Sequence, residues 1–135
     1  MPVTGSESGG GVERGSVPVL VVDDQVVFRR ALRDLVAATE GFVLVGERAS
    51  GEAALDAVDE LSPRLVIIDE RMPGLGGIEA SRAIKDRHPE VAVLLVSADD
   101  TPDPQALRSS DTLVFARKQE LSPGFLREFW RGQGR

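Results

Sequence analysis

Asp23 and Asp24 close one apolar run, Asp69 closes another, Ser97 closes a third, and Lys118 follows a fourth. Three carboxylates, one hydroxyl and one ammonium suit phosphoryl transfer to a carboxylate. A hard divalent cation such as Mg²⁺, or Mn²⁺ in its place, takes oxygen ligands, and Asp23, Asp24 and Asp69 can supply them. Carboxylates held close together repel one another, which favours binding a cation. Asp69 would then act as the nucleophile and form an acyl phosphate. Lys118 would neutralise one phosphoryl oxygen, and Ser97 would donate a hydrogen bond to another. Ala98 is small and leaves room for the incoming group.

The elements that must position these residues alternate along the chain. Strands are predicted at residues 17–22, 42–45, 65–68, 91–96 and 112–116. Their apolar residues run continuously, so both faces of the sheet should be covered. Between them, Phe28, Ala31, Leu32, Leu35 and Val36 recur at helical spacing, with Gly41 as the stop. Ala54, Ala57, Val58 and Leu61 form a second stripe, ended by Ser62 and Pro63. A third helix runs over about 78–87. A weak fourth lies near 105–108, behind Pro102 and Pro104. Phe125, Leu126, Phe129 and Trp130 give the fifth its apolar side. Strand–helix alternation implies right-handed crossovers and an α/β three-layer sandwich. In such open parallel sheets, ligands bind beyond the carboxyl ends of the strands, where the strand order reverses. The polar residues named above all fall at those ends.

Composition excludes much else. The 135 residues carry 22 acidic and 16 basic side chains, one His and no Cys, for a formal charge of −6. The absence of Cys removes disulfides, thiolate metal sites and thiol catalysis. A single His, His88, leaves no multi-histidine metal site. The acidic balance argues against direct nucleic-acid binding, and no apolar run is long enough for a bilayer. Residues 1–16 are rich in Gly and Ser and are expected to be a disordered tail without a secretory signal. The domain is expected over 17–131, with a frayed terminus or linker stub at 132–135, no output domain in the chain, and a cytoplasmic location.

The blocks VPVLVVDD, LVIIDERMPGLGGIEA, VLLVSADD and FARK, in this order and spacing, resemble the response-regulator receiver domain of two-component signalling. The DDQVVFRRALRDLV and FVLVGERASGEAALDAV stretches are most similar to LuxR/NarL-type receivers. The resemblance implies a flavodoxin-like (βα)5 fold with a parallel five-stranded sheet in the order 2-1-3-4-5. It implies that Asp69 is the phosphoacceptor and that Asp23, Asp24 and Asp69 hold Mg²⁺ with the backbone carbonyl of Arg71. Ser97 would be the switch hydroxyl, Lys118 the phosphate-binding lysine and Phe115 the switch aromatic. The implied partners are a sensor histidine kinase and a downstream protein or output domain. A homodimer would form through the face of the fourth helix, fifth strand and fifth helix, or through the first and fifth helices.

Taken singly, these residues have plainer readings. Asp23 and Asp24 could cap the first helix, Asp69 could sit in a turn, and Phe115 could be core. Arg29, Arg30 and Arg33 read as a solvated face, and His88 as a helix-end residue. Three positions depart from the family pattern: Glu70 after the phosphoacceptor, the SSDTLVF loop before the fifth strand, and Gln119 after Lys118. They motivate an alternative, a pseudo-receiver that docks proteins or dimerises without phosphorylation. An aspartyl-phosphate hydrolase of the haloacid dehalogenase type needs a second Asp where this chain has Arg71. Arg71 and Asp99 are also expected to pair across the mouth of the site as a gate that slows hydrolysis.

Overall fold

The computed structural model describes residues 15–98 and 114–133. Five parallel strands form one sheet in the order β2-β1-β3-β4-β5, the arrangement expected from the sequence. In chain order the elements are β1 (Val17–Val22), α1 (Val26–Ala38), β2 (Phe42–Arg48), α2 (Gly51–Leu61), β3 (Leu65–Asp69), α3 (Gly77–Arg87), β4 (Ala92–Ser97), β5 (Val114–Arg117), a 3-10 turn (Lys118–Glu120) and α4 (Pro123–Arg131). The weak helix expected near 105–108 lies outside the described residues. The helix expected fifth is therefore α4.

Side chains alternate across the sheet, and each face finds a cover. Leu20, Val22, Val66, Ile68, Val93 and Leu95 pack with Ala54 and Val58 of α2 and Ala80 and Ile84 of α3. Val19, Val21, Leu65, Ile67, Leu94 and Val96 face the other way, onto Leu32 and Val36 of α1 and Leu126 of α4. This two-sided burial is why β1, β3 and β4 read as unbroken apolar runs. Phe42 meets Trp130 edge to face at 6.2 Å, and the Arg64 guanidinium lies 5.4 Å from the Trp130 ring, closing the end of the sheet away from Asp69. Among the described residues, no helix is long and apolar enough to cross a membrane.

Several boundaries differ from the sequence reading, β3 and β5 each running one residue further, to Asp69 and Arg117. β2 continues to Arg48 rather than stopping at residue 45, because its register shifts between Val19 and Leu20 and then pairs Val21 with Glu47 and Val22 with Arg48. As an edge strand it is half-buried throughout, so it tolerates the polar residues that hid its end. α1 begins after Gln25, which makes no side-chain cap, so neither Asp23 nor Asp24 caps it. β4 starts at Ala92 and includes Ser97. α1 stops earlier than expected, at Ala38 with Thr39 extended, and Gly41, with a φ of 90°, shapes the turn that follows; Ser62 ends α2 as expected, in the left-handed region at a φ of 51°. Ser122 caps α4 by accepting the Phe125 N–H at 3.0 Å.

The β3–α3 turn is the tightest point near the rim of the sheet. Gly77 donates its N–H to the Glu70 carbonyl at 3.0 Å, and a Cβ at Gly77 would overlap the Asp69 carbonyl oxygen. Overpacking of backbone against backbone cannot relax by a rotamer change. Gly77→Ala is expected to lower unfolding stability by about 1–3 kcal/mol in urea melts followed by Trp130 fluorescence. Gly124→Ala, whose Cβ meets only Ser122 Oγ at 3.8 Å, is expected to leave stability unchanged or raise it. Equal stability of Gly77→Ala and wild type would overturn this reading of the turn.

Candidate functional site

The strand order reverses between β1 and β3, and both neighbours of that crevice end in carboxylates. Val22 pairs with Ile68, so Asp23 and Asp69 emerge side by side. Asp69 pairs with Val96, and Ser97 pairs with Arg117. The register therefore sets Asp23, Asp24, Asp69, Ser97 and Lys118 along one rim.

Asp23 is fully buried, Asp69 nearly so, and Asp24 is half-buried. One carboxylate oxygen from each lies within 4.8 Å of the others. Lys118 crosses the gap: its Nζ is 2.9 Å from Asp23 Oδ2 and 3.0 Å from Asp69 Oδ1. Burial pushes the Asp69 carboxyl above its ordinary range. The Lys118 hydrogen bond opposes that rise, and the Asp23 charge adds to it. A backbone hydrogen bond from Arg71 to the Asp69 carboxylate also lowers it. The donor set is all oxygen, clustered and partly desolvated, with one ammonium in place as counter-charge. That is the environment a hard divalent cation fits.

The loop holding Asp23 and Asp24 is fixed on every side. Asp23 donates its N–H to the Arg48 carbonyl at 3.1 Å, and its Oδ1 accepts the Gln25 N–H at 2.9 Å. Arg29 Nη1 donates to the Asp23 carbonyl at 2.8 Å. Its Nε reaches Glu47 Oε1 at 3.3 Å, and Arg33 reaches Glu47 Oε2 at 3.6 Å. Arg29 thus ties α1 to β2, which corrects its reading as part of a solvated face, while Arg30 and Arg33 are exposed as expected. The other residue missed in the sequence is Phe28, whose ring centroid lies 3.8 Å from Lys118 Nζ. Its place in the apolar stripe of α1 gave no sign of that contact. Phe28, Leu32, Leu35 and Leu121 line a groove of about 450 Å³ that reaches Lys118 and Ala98.

The remaining expected residues are placed as follows. Ser97 is buried at the end of β4. Phe115 is half-buried and packs against the cluster on the α2–α3 side. Arg71 is exposed on the turn after Asp69. Asp99 lies outside the described residues, as does the SSDTL part of the divergent loop. Glu70 is buried, and its N–H bonds the Val96 carbonyl at 2.8 Å. Gln119 sits in the 3-10 turn, which Glu120 closes by accepting the Arg117 N–H at 3.0 Å.

Comparison with known proteins bears on this geometry. The response regulator receiver domain family matches residues 19–115. Response regulator GacA of Pseudomonas viridiflava is 38% identical over 103 residues, which is 76% of this chain and 48% of that protein. The chain thus spans about half the length of such relatives. The receiver domain of the putative response regulator NarL of Mycobacterium tuberculosis superposes with a TM-score of 0.70 at 29% identity, over 83% of this chain and 94% of that one. The response regulator domain of Thermotoga maritima CheB gives a TM-score of 0.72 at 27% identity, over 86% and 95%.

Asp69 ionises against its surroundings, which fixes the sign of a pH effect. Its folded pKa lies above the ordinary 3.8, so the folded state holds this proton more tightly than the unfolded chain. The carboxyl's contribution to stability therefore falls as pH rises from below 3.8 through the raised folded value. Asp69→Asn is expected to be more stable than wild type at pH 7 without divalent cations. The gain should shrink towards zero once both wild-type states are protonated. Urea melts across that pH range check it, and a less stable Asn variant at pH 7 would overturn it.

Proposed function

The chain belongs to the response regulator receiver domain family of two-component systems, and on that premise we propose that Asp69 accepts a phosphoryl group from a sensor histidine kinase. The observation that carries this reading is the meeting of Asp23, Asp24 and Asp69 with Lys118 bridging two of them at the reversal of strand order. Asp23, Asp24 and Asp69 would hold Mg²⁺ or Mn²⁺, with the Arg71 carbonyl as a further ligand. Bound there, the cation supplies positive charge against the phosphoryl oxygens.

The transfer follows from the residues. An Asp69 carboxylate oxygen attacks the phosphorus of a phosphohistidine. The new P–O bond forms as the P–N bond breaks, and the imidazole nitrogen leaves with the electron pair and takes a proton from water. Burial lowers the local dielectric, so each charge–charge contact at Asp69 counts for more than it would in water. Lys118 neutralises a phosphoryl oxygen without having to be recruited, because it already lies 3.0 Å from Asp69 Oδ1. Ser97 donates its hydroxyl to another. Movement of Ser97 towards the phosphoryl group, with Phe115 following inward, would switch the β5 side of the domain. That face would engage a downstream protein, an output domain or a second copy of the chain. Arg71 and Asp99 would slow hydrolysis by closing the mouth of the site.

Incubation with acetyl phosphate and Mg²⁺ is expected to add the mass of one phosphoryl group, read by intact mass spectrometry. Chelation of the cation or Asp69→Ala should abolish the adduct, and Lys118→Ala should slow its formation about 100-fold. No cation-dependent adduct in the wild type, or an equal one in Asp69→Ala, would overturn the proposal. The first result would favour a docking module that works without phosphorylation, and the second would move the phosphoryl group to another residue.

A further inference from the structure

Lys118 carries the positive charge of the site on a flexible stem, so something must hold its ammonium in place. The group has three donor hydrogens. Asp23 Oδ2 and Asp69 Oδ1 take two directions, at 2.9 and 3.0 Å. The third side is covered by the Phe28 ring, with its centroid 3.8 Å from Nζ. We propose that Phe28 is a positioning residue whose ring face seats the Lys118 ammonium between Asp23 and Asp69. This deepens the phosphoacceptor reading above and rests on it.

The two kinds of contact answer differently to charge. A divalent cation at the carboxylates withdraws much of the pull that Asp23 and Asp69 exert on Lys118. The ring quadrupole is not neutralised in that way, so its attraction for the ammonium persists. Phe28 would therefore keep Lys118 aimed at Asp69 in the state that matters for transfer. The ring also keeps water from one side of the ammonium, and cation–π attraction strengthens with desolvation; Lys118 is only 13% exposed. Phe28 is itself well anchored. It lies one helical turn before buried Leu32 on α1 and lines the same groove as Leu35 and Leu121. Its neighbour Arg29 ties the same helical turn to the Asp23 carbonyl at 2.8 Å. One turn of α1 thus fixes both the acidic loop and the lysine.

The test uses the full chain with Phe28→Leu, which removes the ring, and Phe28→Tyr, which keeps it. Nuclear magnetic resonance of the metal-free protein should show the Lys118 side-chain protons displaced upfield by the ring current in wild type and Phe28→Tyr. That displacement should be lost in Phe28→Leu. The rate of adduct formation from acetyl phosphate with Mg²⁺ should fall about 2- to 30-fold in Phe28→Leu and stay within about twofold in Phe28→Tyr. In a Lys118→Ala background, Phe28→Leu should cost nothing further. Undisplaced Lys118 resonances in the wild type, or an equal loss of rate in the Lys118→Ala background, would overturn the seat. A wild type that forms no adduct overturns the phosphoacceptor reading alone, and the resonances then still decide the role of Phe28.

Discussion

Three carboxylates within 4.8 Å of one another, two of them buried, are the constraint around which this structure is arranged. Like charges at that spacing repel strongly where water is excluded. The fold answers with Lys118, which bridges Asp23 and Asp69 from the far side of the sequence. The answer is partial, since burial and the Asp23 charge still hold the Asp69 carboxyl above its ordinary range. A site left short of positive charge in this way has capacity for more. The same imbalance that costs stability in the cation-free protein is one that a divalent cation could relieve.

Holding such an arrangement requires rigid backbone at each strand end. The Asp23 loop is gripped by β2 through Arg48 and by α1 through Arg29. The turn after Asp69 is gripped by Gly77, where α3 packs directly on the Asp69 carbonyl. It is also held by α2, where Glu52 accepts the Leu75 N–H at 3.2 Å. These anchors oppose any drift of the mutually repelling side chains away from one another. The apolar clusters on the two sheet faces supply the free energy against which that repulsion is set.

Most of this was legible in the sequence because its signals were one-dimensional. Strands buried on both faces must be apolar throughout, so β1, β3 and β4 announced themselves, and their ends marked Asp23, Asp69 and Ser97. Parallel connectivity then brought those ends to one rim. The end of β2 was not legible, because an edge strand with a register shift carries Glu47 and Arg48 without penalty. Arg29 looked like a solvent-facing charge because the partner that recruits it, Glu47, lies on that unrecognised part of β2. Phe28 was hidden for a different reason. Its period in α1 matched core packing, and periodicity reports which face a residue occupies but not which cation that face meets.

The same residues show why the helix covering this side of the sheet cannot be treated as packing alone. Leu32 and Val36, further along α1, are buried in the cluster shared with α4. One turn earlier, Phe28 and Arg29 turn towards Lys118 and the Asp23 carbonyl. A shift of α1 along its axis would therefore move both of these contacts of the acidic site together. Because Leu32 and Val36 resist such a shift through close packing, the apolar core sets the tolerance with which the ammonium is aimed. The hydrophobic stripe and the polar rim are thus coupled through a single rigid helix, and the geometry of the charged site depends on residues that carry no charge.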